Sequence, residues 1–195
     1  MRIGILLPYK ENFSPDYPGA VSLFVYETSR KSKYKKTITV FGNTNYEKKF
    51  NVKYKNIPLK KNLFSSQTKD YVKKFISLQK KIDFSIIEIH NRPSYVKQLK
   101  DSTSKSVLSL YFHNDPLSMD GSKTINERKY LLKVCYKIIF NSNWSKKRFL
   151  EGLENKFVNS NKLEVFFQSA AKGNLSLINK KKNWITFFCR LIKNY

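Results

Sequence analysis

Two short apolar runs, each closed by a polar tip and followed by a helix-length segment, constrain this chain most. The first, Val107 to Phe112, stops abruptly at His113-Asn114-Asp115. A mixed stretch follows, with a helical segment over Tyr130 to Tyr136. The second run, Lys137 to Phe140, ends in Asn141-Ser142-Asn143-Trp144 and leads into a helix over Ser145 to Leu153. Strand, tip, helix, repeated, is the signature of parallel strands joined by right-handed crossovers. In open sheets of this kind ligands bind beyond the carboxyl ends of the strands. His113 and Asn141 both stand at such ends.

The rest of the chain continues the alternation. Ile3 to Leu7 is an unbroken apolar run of strand length, as a buried parallel strand requires. A polar loop over Tyr9 to Pro18 follows. Gly19 to Arg30 reads as a helix with Val21, Phe24, Val25 and Thr28 on one face. Thr37 to Phe41 is a second strand, and Val52 to Ile57 a weaker, alternating third that suits a sheet edge. Thr68 to Lys81 is an amphipathic helix. Asp83 to Ile89 is the next strand, ending in His90-Asn91-Arg92-Pro93, and Ser94 is placed to cap a short helix over Tyr95 to Lys100. Lys162 to Phe167 is a last strand. The pattern predicts an α/β fold with a Rossmann-like, doubly wound, mainly parallel sheet over residues 1–172. Residues 173–183 have the composition of a Lys-rich linker.

The 195 residues suffice for one well-buried α/β domain. Lysine and arginine number 38 against 14 acids, a net charge of +24. Three readings of that charge stand side by side. One is codon bias, since Lys, Asn, Ile, Phe and Tyr share AT-rich codons. The second is attraction to an anionic bilayer, at ~1 kcal/mol per nearby basic residue. The third is nucleic-acid binding. This last needs aromatics interleaved with basic residues on one exposed face, whereas most aromatics here fall inside strand runs such as LYF, IIF and VFF. Nucleic acid is therefore not an expected partner.

Cys135 and Cys189 lie in apolar runs without metal-ligand spacing, so inert core thiols in a reducing compartment are expected. Only two histidines are present, which argues against a His-based metal site, and no metal is expected. No signal peptide is visible, and no apolar run approaches the ~20 residues of a membrane span. A cytoplasmic protein is expected, soluble or peripheral at the inner face of the plasma membrane.

Four further features complete a pattern with a known counterpart. Met1 to Tyr9 is followed by Pro18-Gly19-Ala20 entering a helix. Phe112-His113 closes one strand. Ile139-Phe140-Asn141-Ser142 runs into a basic helix. Trp184 begins the run WITFFCRL. In this order they resemble the N-terminal half of GT-B glycosyltransferases, specifically family 4, over nearly the whole chain. The resemblance implies an enzyme that moves a sugar from a nucleotide-sugar to a glycolipid or polysaccharide acceptor. It also implies retention of anomeric configuration, with neither metal nor other cofactor. His113 would be the active-site histidine, able to hydrogen-bond a sugar hydroxyl or assist proton movement near neutral pH. The competing role is a structural histidine bonded to a loop.

Gly19 would let a backbone N–H approach the donor phosphate at a helix N-terminus, although Ala20 stands where the family often has a second glycine. Tyr9, Lys10, Arg92, Asn114 and Asn141 would face the acceptor. Arg92 could grip a phosphate bidentately, and His90 would orient a loop. For Asn141-Ser142-Asn143, helix capping competes with substrate contact.

Residues 184–195 resemble the first strand of the donor-binding domain, with Cys189 where the family has Gly, and Arg190 would match the diphosphate-binding arginine. The expectation is an acceptor-side domain truncated before its donor half and inactive alone. The alternative is a non-catalytic fragment or a basic nucleic-acid-binding domain.

Overall fold

The structure, a computed structural model, describes residues 1–59, 66–103 and 105–168. The expected linker and donor-side stub, with Cys189 and Arg190, lie outside the described residues.

Seven strands form one sheet, and every pairing is parallel. In chain order the strands are β1 (Ile3–Leu6), β2 (Ile38–Gly42), β3 (Tyr54–Asn56), β4 (Ile86–His90), β5 (Val107–Phe112), β6 (Lys137–Phe140) and β7 (Leu163–Val165). Their spatial order is β3-β2-β1-β4-β5-β6-β7. The direction of winding therefore reverses between β1 and β4, and a crevice opens at such a switch point beyond the carboxyl ends. The helices are α1 (Ala20–Lys31), α2 (Gln67–Lys80), α3 (Tyr95–Ser102), α4 (Ile125–Val134) and α5 (Asn143–Leu150).

Side chains alternate across each strand, so the sheet serves two cores. Ile5, Leu7, Ile38 and Val40 pack with Val21 and Val25 of α1. Leu6, Phe41, Ile87, Ile89, Leu110, Phe112, Ile138 and Phe140 pack on the opposite face with residues of the other four helices, among them Phe75, Leu99, Leu131 and Phe149. The second cluster is the larger, and its strands read as continuous apolar runs for that reason. Cys135 is fully buried there, and burial pushes its thiol up to about 12, which makes it inert.

Three boundaries differ from expectation for local reasons. The strand expected from Asp83 starts at Ile86, because Asp83 takes a left-handed conformation with φ 56° and closes the turn after α2. The helix expected over Tyr130–Tyr136 starts at Ile125 instead. Thr124 and Glu127 form a reciprocal capping box, which holds the first turn in place. Ser94 does not cap α3 with its side chain. Its backbone is already helical, and the Tyr95 N–H donates to the Arg92 carbonyl at 3.0 Å. Val52 to Ile57 contracts to Tyr54–Asn56 and does form a sheet edge.

Gly121 holds the loop after β5 against the loop after β4. Its φ is +92°, and a Cβ there would sit 2.6 Å from the Ser94 nitrogen. Both the backbone strain and the clash are with rigid groups. Gly121→Ala is expected to cost about 2 kcal/mol or more, read as a lower urea midpoint. A loss within about 0.5 kcal/mol, the range of neutral surface changes, would mean that the two loops are not locked together.

Candidate functional site

Because all the pairings are parallel, the segments following β1, β4, β5 and β6 emerge on one rim. The expected residues divide there into two groups. Tyr9 and Lys10 follow β1 and line a cavity of about 620 Å³ with Asn12, Asn43, Tyr46 and Gln67. The Tyr9 carbonyl accepts from Asn43 Nδ2 at 3.1 Å, and its N–H donates to the Tyr95 hydroxyl at 3.2 Å. Lys10 Nζ lies 5.6 Å from the Tyr9 ring centre.

The second group is built around His113. The Asn91 side chain accepts from the His113 N–H at 3.2 Å, and the Asn91 N–H donates to the Tyr111 carbonyl at 2.8 Å. Asn91 has φ 54°, a conformation that asparagine tolerates better than most residues. Asn141 Nδ2 donates to the His113 carbonyl at 2.8 Å, while its Oδ1 accepts from Ser145 Oγ at 2.7 Å. Both ends of the Asn141 amide are thus engaged in holding the His113 loop to the start of α5. Ser142 caps α5 by accepting from the Ser145 N–H at 3.1 Å. Of the two roles open for Asn141-Ser142-Asn143, these bonds are structural. Arg92 donates from Nη1 to the Asn91 carbonyl at 2.8 Å. Asn114 is exposed. The adjoining Asp115 caps the short 3-10 turn Pro116–Ser118 and pairs with Arg148 at 3.1 Å.

Gly19 is the N-cap of α1, but the anion at that helix end is the chain's own. Glu11 Oε1 accepts from the Ser22 N–H at 3.0 Å, in the first turn. A Cβ on Gly19 would lie 1.9 Å from that same oxygen. The glycine therefore makes room for a carboxylate where a phosphate would otherwise find the free N–H groups and the helix dipole.

His113 does not stand alone, which the separate motifs did not reveal. Glu88 and His90 of β4, and Tyr111 of β5 with His113 just past its end, occupy alternate positions of two neighbouring segments and face α1. His90 is fully buried; its ring stacks on Tyr111 at 5.4 Å, and Tyr111 stacks on His113 at 4.5 Å. Phe24 of α1 closes over them, 5.2 Å from the His113 ring. His90 Nε2 lies 2.5 Å from Glu88 Oε1, and His90 Nδ1 lies 2.8 Å from His113 Nε2. His113 Nδ1 in turn meets Gln168 Nε2 at 2.6 Å. The Glu-x-His spacing in β4 puts both side chains on one face, and that was the legible signal for the Glu88 contact. The contact between His90 and His113 depends on strand register, with His90 opposite Tyr111.

Burial, reinforced by the neighbouring His90, pushes the His113 pKa down to about 2. The ring is neutral at physiological pH. Of its two expected roles, hydrogen bonding to a hydroxyl suits it better than exchanging protons near neutrality. Among the described residues no group of three or more His, Cys, Asp or Glu is placed to hold a metal ion.

No family model matches this sequence, and no curated protein sequence is similar to it. Solved structures do match. The lipopolysaccharide outer core galactosyltransferase WaaB, in its apo form, superposes with a TM-score of 0.60 at 12% identity, over 89% of this chain and 47% of that one. HepE of Anabaena, in complex with UDP and glucose, gives 0.58 at 14% identity, over 87% and 45%. The UDP-GlcNAc 2-epimerase of Methanocaldococcus jannaschii gives 0.51 at 12%, over 86% and 45%. This chain spans about half the length of each of these proteins. With its seven parallel strands and flanking helices, it has the Rossmann-like α/β fold found in GT-B glycosyltransferases.

Proposed function

We propose that this chain is the acceptor-side half of a family 4 glycosyltransferase, moving sugar from a nucleotide-sugar to a glycolipid or surface-polysaccharide acceptor. The observation that carries the reading is His113, neutral and held by hydrogen bonds at the switch-point rim, in a fold shared with a galactosyltransferase and a UDP-glucose-binding protein. In this reading the donor phosphate assists the acceptor hydroxyl with retention and without a metal. His113 bonds a sugar hydroxyl, and Tyr9 and Lys10 shape the acceptor cavity. Arg190, which lies outside the described residues, would meet the diphosphate from the donor side. The whole enzyme's turnover requires both substrates held together, a positioning effect of ~7–11 kcal/mol.

The test is an NMR titration of the chain with UDP-glucose. Amide shifts are expected around Gly19–Val21 and His113–Asn114, and Glu11→Gln is expected to tighten binding several-fold by removing a charge that competes with phosphate. Shifts confined to the opposite rim would sink the proposal. A Glu11→Gln affinity equal to wild type would remove Gly19 from the donor site.

A nucleic-acid platform is less well supported. Phe41, Phe112 and Phe140 of the strands are buried. The exposed aromatics among the described residues are divided between the two ends of the sheet, with Tyr34 and Tyr136 ahead of β2 and β6 but Trp144 and Phe166 beyond β6 and β7, so they do not form one stacking face.

The same reading places the protein against an anionic membrane. No helix among the described residues is long and apolar enough to cross a bilayer, so contact would be peripheral through lysine. Co-sedimentation with anionic vesicles is expected at low salt and should fade as the Debye length falls below ~8 Å. Equal binding to neutral vesicles would contradict it.

A further inference from the structure

With one proton on each ring, the hydrogen-bond chain Glu88–His90–His113–Gln168 runs in one direction. A carboxylate only accepts, so at 2.5 Å from Glu88 Oε1 the His90 Nε2 must carry the proton. With that one ring proton, His90 presents a lone pair at Nδ1. His113 Nε2, 2.8 Å away, must donate to it. That leaves the lone pair of His113 at Nδ1, where the Gln168 amide nitrogen donates at 2.6 Å. The reverse polarity would set the His90 Nε2 lone pair against a carboxylate oxygen and would require an added proton. The packing agrees: His113 lies against Phe24 and Tyr111, an environment that disfavours a charged ring.

The outer end of the chain is different. Gln168 is exposed, and it is delivered by the segment after β7. That segment is pinned by the Phe166 N–H on the Phe140 carbonyl and by the Tyr111 hydroxyl on the Phe166 carbonyl, at 2.8 and 2.9 Å.

We propose that Glu88 and His90 are positioning residues that fix His113 as its Nε2–H tautomer, so that Nδ1 accepts a hydrogen bond from a hydroxyl of the sugar ligand, and that Gln168 holds the place of that hydroxyl. The identity of the ligand rests on the function proposed above; the wiring does not. A one-way chain anchored by a carboxylate differs from a structural histidine pair. It predetermines which nitrogen meets the ligand, and it selects hydroxyl donors over carbonyl or phosphate acceptors. Gln168 satisfies the Nδ1 lone pair of a part-buried ring from its exposed side, where a ligand hydroxyl could take its place.

The chain has only two histidines, so nitrogen-15 NMR of selectively labelled imidazoles reads both tautomers directly. Both rings are expected as Nε2–H at neutral pH; a proton on His113 Nδ1 overturns the wiring. Glu88→Gln keeps the shape but can donate or accept, so it should admit a second tautomer at His113. Glu88→Asp, which keeps the carboxylate, should restore a single one, and the dispersed amide spectrum of each variant confirms that it folds. A single unchanged tautomer in Glu88→Gln removes Glu88 from the chain.

UDP-glucose should then move the His113 Nδ1 resonance, and Gln168→Ala should tighten its binding several-fold. Affinity equal to or weaker than wild type rejects Gln168 as a placeholder. UDP-glucose that leaves His113 untouched in both proteins rejects the sugar ligand, and the proposed function with it, whatever the tautomers show.

Discussion

Arg128→Ala should remove about 3 kcal/mol or more of stability. Arg128 is 3% exposed, and its Nη1 donates to the carbonyls of Phe149 and Glu151 at 2.5 and 2.6 Å, while Nε reaches Thr124 at 3.3 Å. Those carbonyls belong to the last turn of α5 and its cap, where no further helical N–H is available. The guanidinium therefore ties the end of α5 to the start of α4, and both helices lie behind the His113 rim. Hydrogen bonds to charged groups contribute ~1.5–3 kcal/mol each. Truncation would also leave a cavity and orphaned acceptors. Arg128→Lys has a single point donor in place of a fork and should recover only part of the loss. Urea unfolding followed by circular dichroism checks this, as a lower midpoint with an unchanged slope. A change below ~1 kcal/mol, within the usual range of point substitutions, would show that water replaces the guanidinium without difficulty.

The second large effect is acid sensitivity set by His113. In the folded protein burial holds the pKa at about 2, against 6.5 for an unperturbed ring. Below 6.5 the unfolded chain binds a proton that the folded chain does not, so folding weakens as pH falls. The contribution is fully present above 6.5 and is lost progressively from there toward about 2. The ceiling on the slope is ~1.4 kcal/mol per pH unit for one group. Because the ring is only part-buried and retains some solvent, the measured slope should lie below that ceiling. Between pH 6.5 and 4.5 the loss should approach about 2 kcal/mol on the same reasoning. Most carboxylates titrate below that window, with reference values of ~4. His113→Gln should flatten this part of the stability profile. A wild-type profile that is level from pH 6.5 to 4.5 would mean that water reaches the ring freely.

The sequence by itself determined the sheet and its direction. Apolar runs of strand length alternating with helical periods leave one economical arrangement, parallel strands with right-handed crossovers, and all six pairings among the seven strands follow it. It also determined which rim bears the polar tips, because His113, Asn141 and Arg92 each follow a strand. That much depends on local periodicity and on the fixed handedness of the crossover.

Tertiary structure decided what those tips are bonded to. The amide of Asn141 is spent on the His113 carbonyl and Ser145. The helix end beside Gly19 is filled by Glu11 from the preceding loop. His90, expected only to orient a loop, is instead the buried link between Glu88 and His113. Each of these contacts joins residues from different elements, or a loop to a helix end. They depend on the relative register of strands and on where a loop lays its side chains, quantities that side-chain periodicity along a single element does not encode.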